Sequence, residues 1–178
     1  LMDVAGMGTL RRMWFTLSSR DPGALRACVI RIYWDGEEKP AVEAPFGDFF
    51  GAILGRAVAF DSELFANMEG RSFNCFIPMP FRTRARVTFT NESSVRLDQL
   101  FYEIDYTLEE TLPDTALYFH AFWHRDRPPE PGEPGQNWHY AGRAIAFDRN
   151  LIYANTPIPV EITRENAEVN TYWRVYVR

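Results

Sequence analysis

Residues 82–90 and 100–108 switch side at every step, and that alternation limits what this chain can fold into. In the first stretch Arg82, Arg84, Arg86 and Thr88 share a face opposite Ala85, Val87 and Phe89; in the second Phe101, Glu103, Asp105 and Thr107 share a face opposite Leu100, Tyr102, Ile104 and Tyr106. A period of two belongs to strands, because a helix would spread those apolar positions around its circumference. The short loop between them predicts that the two stretches pair antiparallel. Three arginines then oppose two acids, and cross-strand ion pairs are the ordinary use of such a pattern. Glu103 and Asp105, two residues apart on one strand, also stand about 7 Å from each other, which suits acid–base chemistry. The arginine-rich neighbour favours the ion-pair use.

Strand-like stretches recur elsewhere. Residues 10–17 read as a strand, Arg20-Asp21-Pro22-Gly23 as the turn leaving it, and 24–27 as a helical turn. Cys28, Ile30, Ile32 and Trp34 alternate with Val29, Arg31 and Tyr33. Asp35-Gly36 tolerates the positive φ of a tight hairpin and turns the chain into a return strand over 41–44. Pro45 has no donor for the ladder and ends it. In Phe46-Gly47-Asp48-Phe49-Phe50-Gly51 the rings need burial, the glycines let backbones approach, and Asp48 must be solvated, paired or used. A helical turn over 51–54 and extended stretches over 57–60 and 72–77 follow, and Pro78-Met79-Pro80 forms a stiff corner.

Residues 116–124, ALYFHAFWH, form an aromatic strand on which His120, Phe122 and His124 share a face. The two imidazoles lie about 13 Å apart on a strand, too far to share one metal ion, so no metal site and no cofactor is expected. Four prolines and two glycines make 125–137 an exposed loop. Extended structure resumes over 138–147 and 158–162. In 171–178, Trp173, Val175 and Val177 oppose Tyr172, Arg174, Tyr176 and Arg178, and so regular a terminal strand needs a partner in its own sheet or in another chain. GRAVAFDSEL at 55–64 nearly repeats as GRAIAFDRNL at 142–151, which suggests equivalent strands or chance rather than duplication. Nine or ten short strands with hardly a helix predict an all-β protein: an antiparallel β-sandwich, a single jelly roll, with residues 1–178 as one domain.

A net charge of −5 with one lysine, Lys39, argues against a nucleic-acid surface, and no run is apolar enough to span a membrane. Arginine supplies nearly all the positive charge, which suits bidentate ion pairs on sheets or in subunit contacts. Cys28 and Cys75 lack metal-ligand spacing and are expected as buried thiols rather than a disulfide. Asn91-Glu92-Ser93 is a candidate glycosylation sequon. No leader-like segment follows Leu1, which argues for a cytoplasmic home, whereas an assembly role favours the extracellular space or cell surface.

YWDGEEKPAVEAPFGDFFG at 33–51, FNCFIPMPFRTRARVTFTNE at 73–92, LFYEIDYTL at 100–108 and LPDTALYFHAFWHR at 112–125 closely resemble, in order and spacing, the family called domain of unknown function 2961, also classed as glycoside hydrolase family 172. The resemblance covers roughly residues 6–127. It implies a double jelly roll in the family, assembly into trimers and hexamers, and retaining cleavage of α-furanosides of fructose or arabinose. The fold is similar to that of double jelly-roll viral capsid proteins. The family's two catalytic glutamates lie in a second jelly roll, in strings resembling Trp-Gly-Glu-Gly-Asp and Gly-Thr-Glu-Asp-Tyr, and neither string occurs here. A retaining mechanism has no groups to run it without them. Asp48, Asn74 and His120 sit in matched motifs, where they line a pocket or hold the jelly roll together.

The expectation is therefore a non-catalytic structural jelly roll that self-assembles into an oligomer, fibril or shell, with Tyr172, Trp173, Arg174 and Tyr176 on its docking strand. The alternative is a carbohydrate-active protein: an α-furanoside hydrolase, its non-catalytic half, or a glycan-binding module on which Trp123, Trp138 and Tyr140 supply a stacking platform.

Overall fold

The computed structural model describes residues 1–109, 111–125 and 171–177. Their strands are β1 (Met2–Ala5), β2 (Gly8–Leu17), β3 (Cys28–Trp34), β4 (Val42–Pro45), β5 (Phe60–Asp61), β6 (Phe65–Met68), β7 (Ser72–Cys75), β8 (Met79–Phe81), β9 (Arg84–Asn91), β10 (Leu100–Leu108), β11 (Phe119–Arg125) and β12 (Thr171–Val177). The short helices α1 (Pro22–Ala27) and α2 (Phe46–Phe49) and a 3-10 turn at Ile53–Gly55 interrupt them. Contacts divide the chain into two compact units, Leu1–Phe122 with Val177–Arg178, and Trp123–Tyr176. The expected strands over 138–147 and 158–162, the loop beyond Arg125 and the second copy of the near-repeat lie outside the described residues. In the second unit the described residues are the end of β11 and most of β12, adjacent in strand order.

The first unit is the β-sandwich that the alternation predicts. One sheet runs β1-β9-β3-β4-β11 and the other β10-β2-β7-β6-β5, with β8 also against β2. The pairing of β4 with β11 is parallel, through Ala121 on Val42, a departure from the antiparallel expectation. Along β3 the alternation becomes burial: Cys28, Ile30 and Ile32 are wholly inaccessible and Trp34 nearly so. Opposite them on β9 stand Phe89, Val87 and Ala85. Asp21 starts α1 by accepting the Ala24 N–H at 3.0 Å, with Pro22 at the first helical position.

The aromatic turn after Pro45 is the plug of this sandwich. Phe46 meets Phe15 and Phe73 of one sheet at ring separations of 5.5 and 5.1 Å, and Phe89 of the other at 5.5 Å. Phe50 packs on Phe15 at 5.4 Å and on Phe46 at 4.9 Å. Each fully buried ring of this kind contributes about 1.5–3 kcal/mol through the water it leaves. Gly47 is needed for closeness: a Cβ there would lie 3.0 Å from Leu25 Cβ and 3.1 Å from Leu25 O. Thus α2 can lie on α1 while its rings enter the core.

Two expectations are corrected. Residues 82–90 and 100–108 do not pair with each other; β9 lies between β1 and β3, and β10 borders β2 in the other sheet. The apolar face of β9 matches the wholly buried face of β3, whereas no residue of β10 is fully buried. A central position suits the first and an edge the second, and residues 92–99 make the crossing. The arginine–acid pairing changes accordingly. Arg84 is bidentate on Asp3 at 2.7 and 2.6 Å, while Arg12 of β2 serves Glu103 and Asp105. Sequence patterning also passed over β1 and β6, too short to show a period, and β8, which forms inside what reads as a stiff proline corner and pairs with β2 from Gly8 to Leu10.

Candidate functional site

Asp48 is held at the centre of the plug, only 1% exposed. Its Oδ1 accepts the Leu54 N–H at 3.2 Å, its Oδ2 accepts no hydrogen bond, and Arg26 Nη2 stands 3.8 Å away. Burial pushes the carboxyl pKa up, against the pull of the Arg26 charge and the Leu54 N–H. Leu54 itself occupies left-handed backbone at φ 60°, a conformation that a side chain of this kind rarely adopts. This carboxylate faces packed protein rather than solvent.

Asn74 lies on β7, 6% exposed, and donates through Nδ2 to Ser72 O at 2.8 Å and Ser72 Oγ at 3.2 Å. The same hydroxyl accepts the Trp14 indole N–H at 2.8 Å. His120 is half-buried on β11, beside the inward-facing Ala121. Asp48, Asn74 and His120 therefore stand on three separate elements: the plug and one strand in each sheet. Trp123 is half-buried further along β11, and Trp138 and Tyr140 lie outside the described residues. Tyr172, Trp173, Arg174 and Tyr176 are on β12, which is described through its backbone. Asn91 is exposed, with its amide nitrogen donated to Val95 O at 2.9 Å and its oxygen accepting the Ser93 N–H at 3.0 Å. Cys28 and Cys75 are buried free thiols, as expected.

Other ionisable groups are built into the walls. Arg12 Nη1 reaches Glu103 at 3.2 Å and Asp105 at 3.1 Å, so these acids serve the sheet. Arg31 ties three strands, donating to Glu43, Thr90 and Glu92. An open cleft of about 250 Å³ is lined by Asp3, Tyr33, Glu37, Glu38, Arg84 and Arg86. Its cations are engaged, Arg84 by Asp3 and Arg86 by the Tyr33 ring at 3.8 Å. Among the described residues no group of three or more His, Cys, Asp or Glu is placed to hold a metal ion, and no helix is long and apolar enough to cross a membrane.

Asp35 is the residue whose importance the sequence conceals. It turns the β3–β4 hairpin at φ 55°, as an Asp-Gly pair suggests. Its carboxylate also accepts the backbone N–H groups of Arg82, Thr83 and Arg84 at 2.9, 2.7 and 3.2 Å and the Tyr118 hydroxyl. Burial pushes its pKa up, but these four donors outweigh that and hold it below the usual value.

The least finished part of the sandwich is the side bounded by β1 and β10. Register places Tyr102, Ile104 and Tyr106 opposite Phe15, Met13 and Leu10, which are fully buried, so these β10 side chains point inward. Yet Tyr102 and Tyr106 are each 44% exposed and Leu108 is 58% exposed. Tyr102 Oη reaches Leu1 O across the gap at 3.4 Å. Among the described residues, β10 also has no strand on its second edge.

Two sheets closed over an aromatic plug, with most charged groups among the described residues tied into the walls, define a β-sandwich domain. Residues 1–112 match the GH172 first beta-sandwich domain, and the chain belongs to that family, which ties it to carbohydrate-active proteins. No match was found among curated proteins.

Proposed function

We propose that this chain is a non-catalytic jelly-roll building block of the GH172 family that works by associating with copies of itself through the β1–β10 side. The observation that carries this reading is the half-open inward face of β10, where Tyr102, Tyr106 and Leu108 present apolar surface beside a strand edge that is unpaired among the described residues. Such an edge is a template for another strand, and soluble proteins usually shorten, charge or cover it. Here it is nine residues long and apolar on one face. The β12 strand, with Tyr172, Trp173, Arg174 and Tyr176, supplies a second docking segment at the end of its strand order. Of the carboxylates that the sequence singles out, Asp48 is buried, and Glu103 and Asp105 are both paired with Arg12.

Family membership favours a second reading, in which the chain is carbohydrate-active as an α-furanoside hydrolase, its non-catalytic half or a glycan-binding module. Incubation of the purified chain with α-fructofuranosides and α-arabinofuranosides separates the two. No release of sugar accompanied by ordered particles under negative stain is the expected result; turnover sinks the non-catalytic reading.

A further inference from the structure

The outward face of the β10-β2-β7 sheet carries a feature that self-association does not use. Antiparallel sandwiches put polar residues on the solvent face. Here Phe101 on β10, Trp14 on β2 and Phe76 just past β7 all face outward. Phe101 is paired with Thr16, Trp14 with Glu103 on one side and Asn74 on the other, and Met13 with Cys75, which sets Phe76 beside Arg12. The three aromatics thus form a diagonal, one per strand, with neighbouring positions about 7–8 Å apart. Phe101 is 53% and Phe76 37% exposed. The Trp14 indole is fixed by its N–H bond to Ser72 Oγ on the adjacent strand, so it lies across β7 toward Ser72. Hydrogen-bonding groups flank the diagonal: Glu103, whose side chain is 57% exposed, and Arg12 at 33%.

We infer that this face is a saccharide-binding platform, independent of the β1–β10 contact. A sugar ring has an apolar C–H side that stacks on an aromatic face and a rim of hydroxyls that needs donors and acceptors. A diagonal of rings interleaved with a carboxylate and a guanidinium offers both. A packed protein sheet suits it less, because covering Arg12, Glu103 and Asp105 strips water from three charges. The diagonal selects an extended oligosaccharide of several units over a monosaccharide, since it takes one sugar to cover each ring. The indole face, held in place by its bond to Ser72 before the ligand arrives, loses little entropy on binding.

The test is calorimetric titration of the 178-residue chain with linear arabino-oligosaccharides, fructo-oligosaccharides and cello-oligosaccharides, repeated with Phe101→Ala and Phe76→Ala. Both side chains project from the surface, so both variants fold, and circular dichroism checks it. Saturable binding of at least one oligosaccharide is expected, weakened about five- to tenfold by each substitution, or about 1 kcal/mol apiece, and tighter for longer chains. Absence of binding to the whole panel overturns the inference. So does binding that both variants retain in full. If the substitutions change the sedimentation of the protein and leave sugar binding alone, the diagonal is a protein contact and the inference fails.

Discussion

Replacing Asp35 with alanine removes the acceptor for three consecutive backbone N–H groups and for the Tyr118 hydroxyl. A hydrogen bond to a charged acceptor is worth about 1.5–3 kcal/mol net. Asp35 is half-buried, so water replaces part of the loss, and the four contacts together come to about 3–4 kcal/mol. The residue also sits at φ 55°, where alanine adds about 1 kcal/mol of strain that aspartate and asparagine largely escape. Asp35→Ala should therefore cost about 4–5 kcal/mol in urea unfolding, with an unchanged m-value, and Asp35→Asn about 1–2 kcal/mol because it keeps an acceptor oxygen and the turn. The pH dependence follows from the lowered carboxyl pKa. The folded-state pKa is depressed, so this stabilisation is present above the unfolded value and is lost as pH falls through the folded one; the difference from Asp35→Asn should shrink on acidification. A loss below about 1 kcal/mol for Asp35→Ala would refute the idea that this carboxylate pins the start of β9.

Asp48 should behave in the opposite sense. Its folded pKa is raised, so the contribution is fully present at low pH and lost as pH rises through that value. Asp48→Asn should thus be at least as stable as the parent at pH 8, within about 1 kcal/mol, with its advantage fading on acidification; a loss above about 2 kcal/mol at pH 8 would mean that the Arg26 contact is a stabilising ion pair. Gly8→Ala places a Cβ 2.2 Å from Thr107 O, between β2 and β10, and should cost at least about 2 kcal/mol, whereas Gly36→Ala meets nothing within 4 Å and pays only for its positive φ, about 1 kcal/mol. Equal losses would contradict that reasoning. Burial pushes the thiols up to about 11 for Cys28 and about 12 for Cys75, so neither should react with Ellman's reagent until denaturant opens the fold.

The fold class was legible because period-two patterning reports which side of a strand is buried, and β3 shows the correspondence residue by residue. Pairing was less legible. Both 82–90 and 100–108 carry strand patterning, but which is central depends on how completely each apolar face is covered, a property of the opposite sheet. The aromatic turn 46–51 announced its burial through its rings and glycines, and the helix it forms could not be read from so short a run. Asp48 was visible as a carboxylate needing an explanation. Asp35 looked like turn punctuation, because its partners at 82–84 and 118 are distant in sequence. The outward Trp14, Phe76 and Phe101 were hidden for the same reason: their diagonal exists only once the register of three strands is known.

The central claim is association through the β1–β10 side, and the mass of the chain in solution tests it most directly. Light scattering should give a multiple of the 20.7 kDa protomer, and a Tyr106→Asp, Leu108→Asp double variant, which charges the exposed inward face, should run as a folded monomer at the same concentration. A parent chain that is monomeric across the accessible concentration range, or a double variant that assembles as the parent does, would contradict the account.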